Sequence, residues 1–405
     1  MPEPGGFLVF QIIKMKEFFL GKPLVWAEVN LQAIAHNIDE LKRIIAPDVK
    51  LLVAVKADAY GHGLLPVAQT VLQNNADFLG VARLEEGIKL RQAGINAPII
   101  IFGYVSRSQT SELIDFDLIP TIFSLQSAKI FSQNATAKGK KLKVHLKIDT
   151  GMGRLGFLPD SARCYPKNLN PDMSLPAEIL QISRMPGIIL EGIYTHFASA
   201  DSYDKAFALT QFNRFKSLLN QLENSGIKIP LRHAANSGAI IDMPQTHLDM
   251  VRSGISVYGL FPSKELEQNK ISLKPAMTLK TTIIHLKKVH TNFKVSYGST
   301  WQTSGPALLA TVAIGYADGY SRLLSNQGQM LVRGQRAPIV GRICMDLTIL
   351  DVSHIPNVKI EDEVVVFGKQ NNHFLSVDEV AKARNTINYE VVSSLTARVQ
   401  RIYKT

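Results

Sequence analysis

Cysteine is nearly missing from this chain, which has only Cys164 and Cys344 in 405 residues. Two cysteines cannot build a disulfide framework, so a reducing cytoplasm is the expected compartment. No run of 18 apolar residues occurs, so no membrane-spanning helix is expected. The apolar stretch Phe7–Ile13 is too short to span, and Lys14, Lys16 and Glu17 interrupt it before Phe18. It lacks a basic start and a small-residue cleavage site, so it does not read as a signal peptide. Met15 offers an alternative start, and the patterned region opens near Pro23. Residues 1–22 are therefore expected to be a dispensable extension. Internal repeats and low-complexity tracts are also missing. No His, Cys, Asp and Glu cluster has metal-ligand spacing, so no catalytic metal is expected. The formal net charge is +11, yet Lys and Arg are scattered rather than gathered in one stripe. That argues against nucleic acid as a partner and suits an anionic cofactor or substrate.

What is present is ordinary globular composition, 46% hydrophobic and 20% charged, long enough for one large domain and a smaller one. Short apolar, β-branched runs recur at Leu51–Val55, Phe78–Val81, Ile99–Phe102, Leu118–Phe123, Val144–Ile148, Leu190–Tyr194, Leu231–Ala234 and Leu248–Val251. Helix-like stretches such as Leu64–Leu72, Leu84–Ala93 and Lys205–Asn224 lie between several of them. Strands alternating with helices predict βαβ units and a parallel sheet, and eight units predict an α/β eight-stranded (β/α)8 barrel of the TIM type. An open doubly wound sheet is the alternative. It would normally carry a Gly-rich dinucleotide turn after its first strand, where this chain has Lys-Ala-Asp-Ala-Tyr-Gly. After about residue 270 the runs Met277–Leu286, Ala307–Ile314, Met330–Val332, Ala337–Val340 and Val364–Phe367 are separated by Gly, Pro and Asn. They predict a smaller, mainly antiparallel β domain, with a short helix at Val377–Arg384. The expected division is 23–270 for the barrel and 271–405 for the β domain.

Barrel chemistry gathers at the C-terminal ends of strands, and phosphate commonly sits after the last two. Lys56 stands at the end of the first strand, in Val53-Ala-Val-Lys-Ala-Asp-Ala-Tyr-Gly-His62. A buried lysine amine can condense with an aldehyde. Lys147 lies at the end of strand five, Arg154 follows it, and His196 follows strand six. Asn236-Ser237-Gly238 follows strand seven, and Arg252-Ser253-Gly254-Ile255 follows strand eight. Loops rich in small residues there would offer backbone N–H groups to an anion. A phosphorylated aldehyde fits this layout, and pyridoxal 5′-phosphate is the evident candidate.

Nine strings carry a family resemblance: AVKADAYGHG, KIDTGMGRLGF, EGIYTHFASAD, RHAANSGA, VRSGISVYGLFPS, VSYGSTW, AIGYADGYSR, GRICMDLTILDV and INYEV. From about Pro23 to Tyr403 the chain resembles bacterial alanine racemase, a fold-type III pyridoxal-phosphate enzyme. The resemblance implies interconversion of L- and D-alanine by two bases in a homodimer with shared active sites, feeding peptidoglycan. Lys56 matches the cofactor-bearing lysine and first base. Tyr297, supplied by the partner subunit, matches the second. Tyr60, Ser237, Gly254, Ile255 and Tyr389 match phosphate ligands, with Asn236 beside them. Arg252 matches the arginine facing the pyridine nitrogen. Arg154 matches the residue near the phenolic oxygen and the substrate carboxylate. Met345, also from the partner, matches the residue whose N–H meets that carboxylate. His233 and His196 match histidines supporting Tyr297 and Arg252 respectively. Tyr316 and Tyr389 match tyrosines of the access channel. Lys147 matches a lysine that part of the family carbamylates, which would turn a cation beside Arg154 into an anion.

Other residues carry plainer readings. Tyr194 and Tyr258 are expected to pack in apolar strand patterns. His145 reads as a core or rim residue, and His62 as a structural bond to its own loop. Cys344 lies beside Met345 without implying nucleophilic chemistry. A basic-amino-acid decarboxylase of the same fold type is disfavoured by VSYGSTW and GRICMD. A broad-specificity racemase is expected to be exported. A cofactor-carrying binding protein would lack residues 270–405.

Overall fold

In a computed structural model, residues 21, 23–159 and 173–405 are described. The proposed extension and Cys164 therefore lie almost wholly outside the described residues. The chain forms two units. One is Asn30–Ala276 with the last residues Tyr403–Thr405, and the other is Met277–Ile402 with the segment ending at Val29.

The first unit is the barrel. Its strands are β2 (Lys50–Ala54), β3 (Phe78–Val81), β4 (Ile99–Ile101), β5 (Ile119–Ile122), β6 (Leu142–Lys147), β7 (Ile188–Tyr194), β8 (Leu231–His233) and β9 (Met250–Ser253). The ladder runs β8-β7-β6-β5-β4-β3-β2-β9, with parallel pairing throughout. Between β8 and β9 no ladder forms. Instead the amides of Asp249 and Arg252 donate to the carbonyls of Arg232 and Ala235 at 3.1 and 3.0 Å, which nearly closes the ring. All eight strands sit within a few residues of their sequence-predicted positions. Parallel strands buried on both faces leave near-continuous apolar runs, and those are legible.

One end of the interior is filled by Leu52, Phe78, Ile100, Ile119 and Met250, a cluster drawn from five strands. Nearer the C-terminal ends the inward residues become polar. Register alone sets Lys147 beside Tyr194 and Tyr194 beside His233. Paired residues on neighbouring strands face the same way, so these three share one layer. Gly192 makes room for His145: a Cβ there would stand 2.3 Å from its imidazole.

Helix Leu31–Ile44 starts where Asn30 accepts from the Ala33 amide at 2.9 Å, and it buries Ala33, Ile34, Asn37, Ile38 and Leu41 on one face. Asn37 is a polar member of that face and is satisfied. Its Nδ2 donates to the Val257 and Lys274 carbonyls, and its Oδ1 accepts from the Lys274 amide at 2.8 Å. The amide side chain thus pins the turn that follows β9.

The second unit is built on β10 (Met277–Val289), which pairs antiparallel with β1 (Val25–Asn30) and with the strands Ala307–Val312 and Glu363–Gln370. The strands Gln329–Val332, Gln335–Pro338 and Thr348–Asp351 extend the sheet, and helix Val377–Ala383 follows. β1 is a finding the sequence did not announce. It precedes the barrel in the chain, yet Trp26 and Ala27 are registered against Lys280 and Leu279.

Candidate active site

The segment after β2 is the most strained stretch of the barrel. Ala57, Asp58, Ala59 and Tyr60 all have φ between 52 and 54°, one turn of left-handed helix without a glycine, and Gly61 at φ 80° ends it. Left-handed helix costs L-residues about 1–2 kcal/mol each, so this turn stores roughly 4–8 kcal/mol. Ala59, Gly61 and Gly63 donate back to the carbonyls of Val55, Ala57 and Asp58 at 2.8–3.0 Å, and Asp58 Oδ1 accepts from Leu64 N at 2.8 Å. Lys56 opens the turn and Tyr60 closes it. His62 bonds its own loop, as expected, through Nδ1 and the Tyr60 carbonyl at 3.0 Å.

Lys56 is half-buried, and desolvation, then the Arg154 guanidinium, lower its pKa, while the Glu86 carboxylate opposes them. A free amine is what condensation with a carbonyl requires. Lys147 is buried, and desolvation, Arg154 and Arg252 bring its pKa down to about 8. The Arg154 loop is tied by one carboxylate: Asp149 accepts from the amides of Gly151, Gly153 and Arg154 at 2.9–3.0 Å. Burial pushes the Asp149 pKa up, but these amides together hold it below its ordinary value.

Arg252 stands in the middle of the rim, buried. A guanidinium is expensive to desolvate unless its donors are met. Here Nη2 donates to the Thr195 and Ala234 carbonyls at 2.8 and 3.0 Å and reaches His196 Nδ1 at 3.2 Å. Nη1 donates to His233 Nδ1 at 3.0 Å. Among the described residues Nε makes no hydrogen bond, so its N–H is left for another acceptor. The Tyr194 ring lies 5.1 Å from the guanidinium carbon and 5.6 Å from Lys147 Nζ. Burial still draws the Arg252 pKa down to about 10.

The anion cradle is specific. Ser237 Oγ accepts from the Gly254 amide at 2.9 Å. A Cβ added to Gly254 would sit 2.7 Å from Tyr60 OH and 3.9 Å from Ser237 Oγ, so glycine keeps this space open between two hydroxyls. Asn236 caps the helix Ser237–Asp242 through Oδ1 and the Ala239 amide at 3.1 Å. Ile255 is buried at the start of the turn that Asn37 pins. Burial pushes the Tyr60 phenol up to about 12, so it donates rather than ionises.

The remaining expected residues lie in the second unit. Tyr297 is 68% exposed, Met345 53% and Tyr316 42%. Their loops are stitched together. Ser296 Oγ donates to the Arg342 carbonyl at 2.5 Å, and the amides of Tyr316 and Ala317 donate to the carbonyls of Cys344 and Met345 at 3.1 and 3.0 Å. Tyr389 is half-buried in the helix Asn388–Ser393.

His233 departs from its expected role beside Tyr297. Both of its ring nitrogens are taken up inside the barrel, by Arg252 at 3.0 Å and by His145 Nδ1 at 2.8 Å, and it stacks on Tyr194 at 4.7 Å. It serves Arg252, as His196 does. Tyr194 is buried as expected, but its ring also underlies two cations. Sequence reasoning missed Asp149 and Glu86. Among the described residues no group of three His, Cys, Asp or Glu side chains could hold a metal, and no helix is long and apolar enough to cross a membrane.

Comparison with known proteins decides the family. Residues 29–262 match the family described as alanine racemase, N-terminal domain, and residues 276–403 match alanine racemase, C-terminal domain. The chain belongs to the alanine racemase family. It is thereby an amino-acid racemase, a class of isomerase. It is 51% identical over 378 residues to the alanine racemase of Desulfosudis oleivorans, covering 93% of this chain and 96% of that one. Among solved structures, alanine racemase of Clostridium difficile 630 superposes with a TM-score of 0.87 at 37% identity, over 95% of this chain and 96% of that one. Alanine racemase of Bacillus anthracis with bound L-Ala-P gives 0.86 at 34% identity, over 96% of both chains.

Proposed function

We propose that the protein interconverts L- and D-alanine on pyridoxal 5′-phosphate in a cytoplasmic homodimer and supplies D-alanine for peptidoglycan. The carrying observation is the barrel rim. A half-buried amine of lowered pKa, a clamped cation whose Nε–H is unmatched among the described residues and a glycine-kept space between two hydroxyls stand at the ends of neighbouring strands. That donor set fits a phosphorylated aldehyde bearing a ring nitrogen. The Bacillus anthracis relative with bound L-Ala-P supports the substrate assignment.

Bound pyridoxal phosphate supplies an electron sink that lets an amino acid's α-hydrogen leave as a proton. Lys56 would hold the cofactor through its amine. Tyr60, Ser237, Tyr389 and the amides of Gly254 and Ile255 would take the phosphate. Arg252 would face the ring nitrogen, and a guanidinium, always protonated there, would disfavour a proton on that nitrogen. Racemisation removes a proton on one face and returns one on the other, so two bases are needed. Lys56 moves the proton on one face and Tyr297 of the partner subunit on the other. Arg154 and the amide of Met345 of the partner subunit orient the substrate carboxylate, and Tyr316 of the partner subunit lines the approach.

The test is the visible absorbance of the purified protein before and after borohydride, with peptide mapping and D-alanine detection from L-alanine. A yellow protein that bleaches, labels Lys56 and forms D-alanine is expected. A colourless protein that takes up no pyridoxal phosphate and carries no label on Lys56 would overturn the assignment.

A further inference from the structure

Glu86 joins two parts of the barrel rim with one carboxylate. It stands in the first turn of helix Leu84–Gln92, directly after β3, and is half-buried. Its Oε2 accepts from the amides of Ala82 and Arg83 at 2.8 and 3.1 Å. That much is an ordinary N-terminal cap, which satisfies donors the helix leaves open. Its Oε1 does something a cap does not require. It leaves its own helix, crosses to the loop after the neighbouring strand β2, and accepts from the Ala57 amide at 2.6 Å, the shortest of the three bonds.

Ala57 is the residue after Lys56 and the first of the left-handed turn. The turn contains no glycine, so its backbone has no conformational preference for that region. It persists only where its surroundings over-determine it. Besides the His62 bond to the Tyr60 carbonyl, two carboxylates tie it from outside its own ladder of backbone bonds. Asp58 Oδ1 receives Leu64 N at the far end, and Glu86 Oε1 receives Ala57 N at the near end. Tyr60, whose hydroxyl flanks the space kept by Gly254, lies between those ties, and Lys56 directly precedes the near one.

We infer that Glu86 is a positioning residue, whose carboxylate clamps the left-handed turn at Ala57 and so sets the spacing between the imine-forming lysine and the phosphate-binding tyrosine. The cofactor part of this rests on the function proposed above. The clamp itself does not, because it is a property of the protein backbone. Glu86 is also the anionic group that raises the pKa of Lys56 against desolvation and Arg154.

The experiment compares wild type, Glu86→Ala and Glu86→Gln as purified holoenzymes. Hydrogen exchange by mass spectrometry follows the peptide spanning 55–63. In Glu86→Ala, exchange there should quicken by at least about tenfold while peptides from β6 and β7 stay unchanged, as a local opening demands. Pyridoxal phosphate should dissociate more readily on dialysis. Glu86→Gln removes the charge and leaves one acceptor oxygen for three amides, so its NH2 faces either the Ala57 N–H or the Ala82 and Arg83 N–H pair. Exchange at 55–63 should quicken here too, and the pH midpoint of the bound cofactor's visible band should move downward, because an anion beside a cationic nitrogen has gone. A residue serving only as a helix cap would move neither the exchange at 55–63 nor that midpoint. Unchanged exchange at 55–63 in Glu86→Ala overturns the clamp, and so does an equal quickening throughout the barrel. If the alanine variant does not fold, the glutamine variant decides alone: unchanged exchange at 55–63 overturns the inference. Failure of the cofactor assignment shows separately, as a colourless wild-type protein.

Discussion

Arg252 donates from Nη1 to Nδ1 of His233 across 3.0 Å, and this bond fixes the protons of two buried histidines. A guanidinium has only donors, so His233 Nδ1 must accept. A neutral imidazole then carries its hydrogen on Nε2 and gives it to His145 Nδ1 at 2.8 Å. His145 in turn carries its hydrogen on Nε2, which points to Glu191 Oε2 at 3.3 Å. Every alternative leaves two donors or two acceptors face to face. Both rings should therefore appear in nitrogen-15 spectra as neutral Nε2–H tautomers at pH 7. A charged ring, or an Nδ1–H tautomer at either residue, would contradict the chain of donors. Replacing His233 by alanine strands a buried cation's donor, and should cost about 1–3 kcal/mol of stability.

The same burial gives stability a pH dependence. Desolvation first lowers the pKa values of His145, His196 and His233 below 6.5; Arg252 adds to it, and at His145 the Glu191 carboxylate opposes it without reversing the direction. In the unfolded chain these residues take up protons near pH 6.5, whereas in the fold they stay neutral. Acid thus favours the unfolded state, so stability is complete above about pH 7 and falls as pH drops through 6.5. Three such groups give a slope of roughly 4 kcal/mol per pH unit once all are protonated only in the unfolded state. Denaturant unfolding at pH 7.5, 6.5 and 5.5 reads this directly, and a flat profile would show that the rings charge within the fold.

Much of this was legible in the sequence. The barrel strands were, because parallel strands covered on both faces must be apolar along their length. Lys56, Arg252 and the Ser237–Gly254 pair were, because they fall at strand ends. Several things were not. β1 belongs to the second sheet through pairing with a distant strand, and no local pattern encodes that. The left-handed turn occupies Ala-Asp-Ala-Tyr, where neither Gly nor Asn signals a positive φ. Glu86 looks like a solvated charge in a helix's first turn until its second oxygen is located. His145 and Tyr194 sit within apolar strand patterns, so packing was their natural reading. Only the register shows that they share the interior with Lys147 and His233.

Lys147 has a pKa of about 8, set by desolvation and by Arg154 and Arg252. A cation there faces two others in a small volume, an unfavourable grouping. A lysine of this pKa has a substantial free-amine fraction at neutral pH, and only a free amine adds carbon dioxide. Carbamylation would replace the third cation with an anion able to orient Arg154. Incubation with carbon-13 bicarbonate should produce a carbamate resonance that disappears in Lys147→Arg. A wild-type protein with a free amine at Lys147 under these conditions would remove this explanation for how the cations coexist.

The proposal that two chains share each active site has the most decisive test. Tyr297 and Met345 are 68% and 53% exposed, large side chains held up by loops that bond firmly to each other. If Lys56 of one chain works with Tyr297 of the partner subunit, then Lys56→Ala and Tyr297→Phe should each abolish nearly all turnover, the latter by about 10²–10⁴-fold as expected for loss of a general base. Their homodimers contain no intact site. Co-refolded or co-expressed together, they form mixed dimers in which one site carries both defects and the other carries none. Random pairing makes half of all dimers mixed, so about a quarter of wild-type activity should return, given two equivalent sites per two-fold dimer. If both bases came from one chain, every site in every dimer would keep a defect and mixing would restore nothing. Measured recovery near zero, with mixed dimers verified by mass spectrometry, would therefore place Tyr297 in its own subunit's site or outside the chemistry altogether.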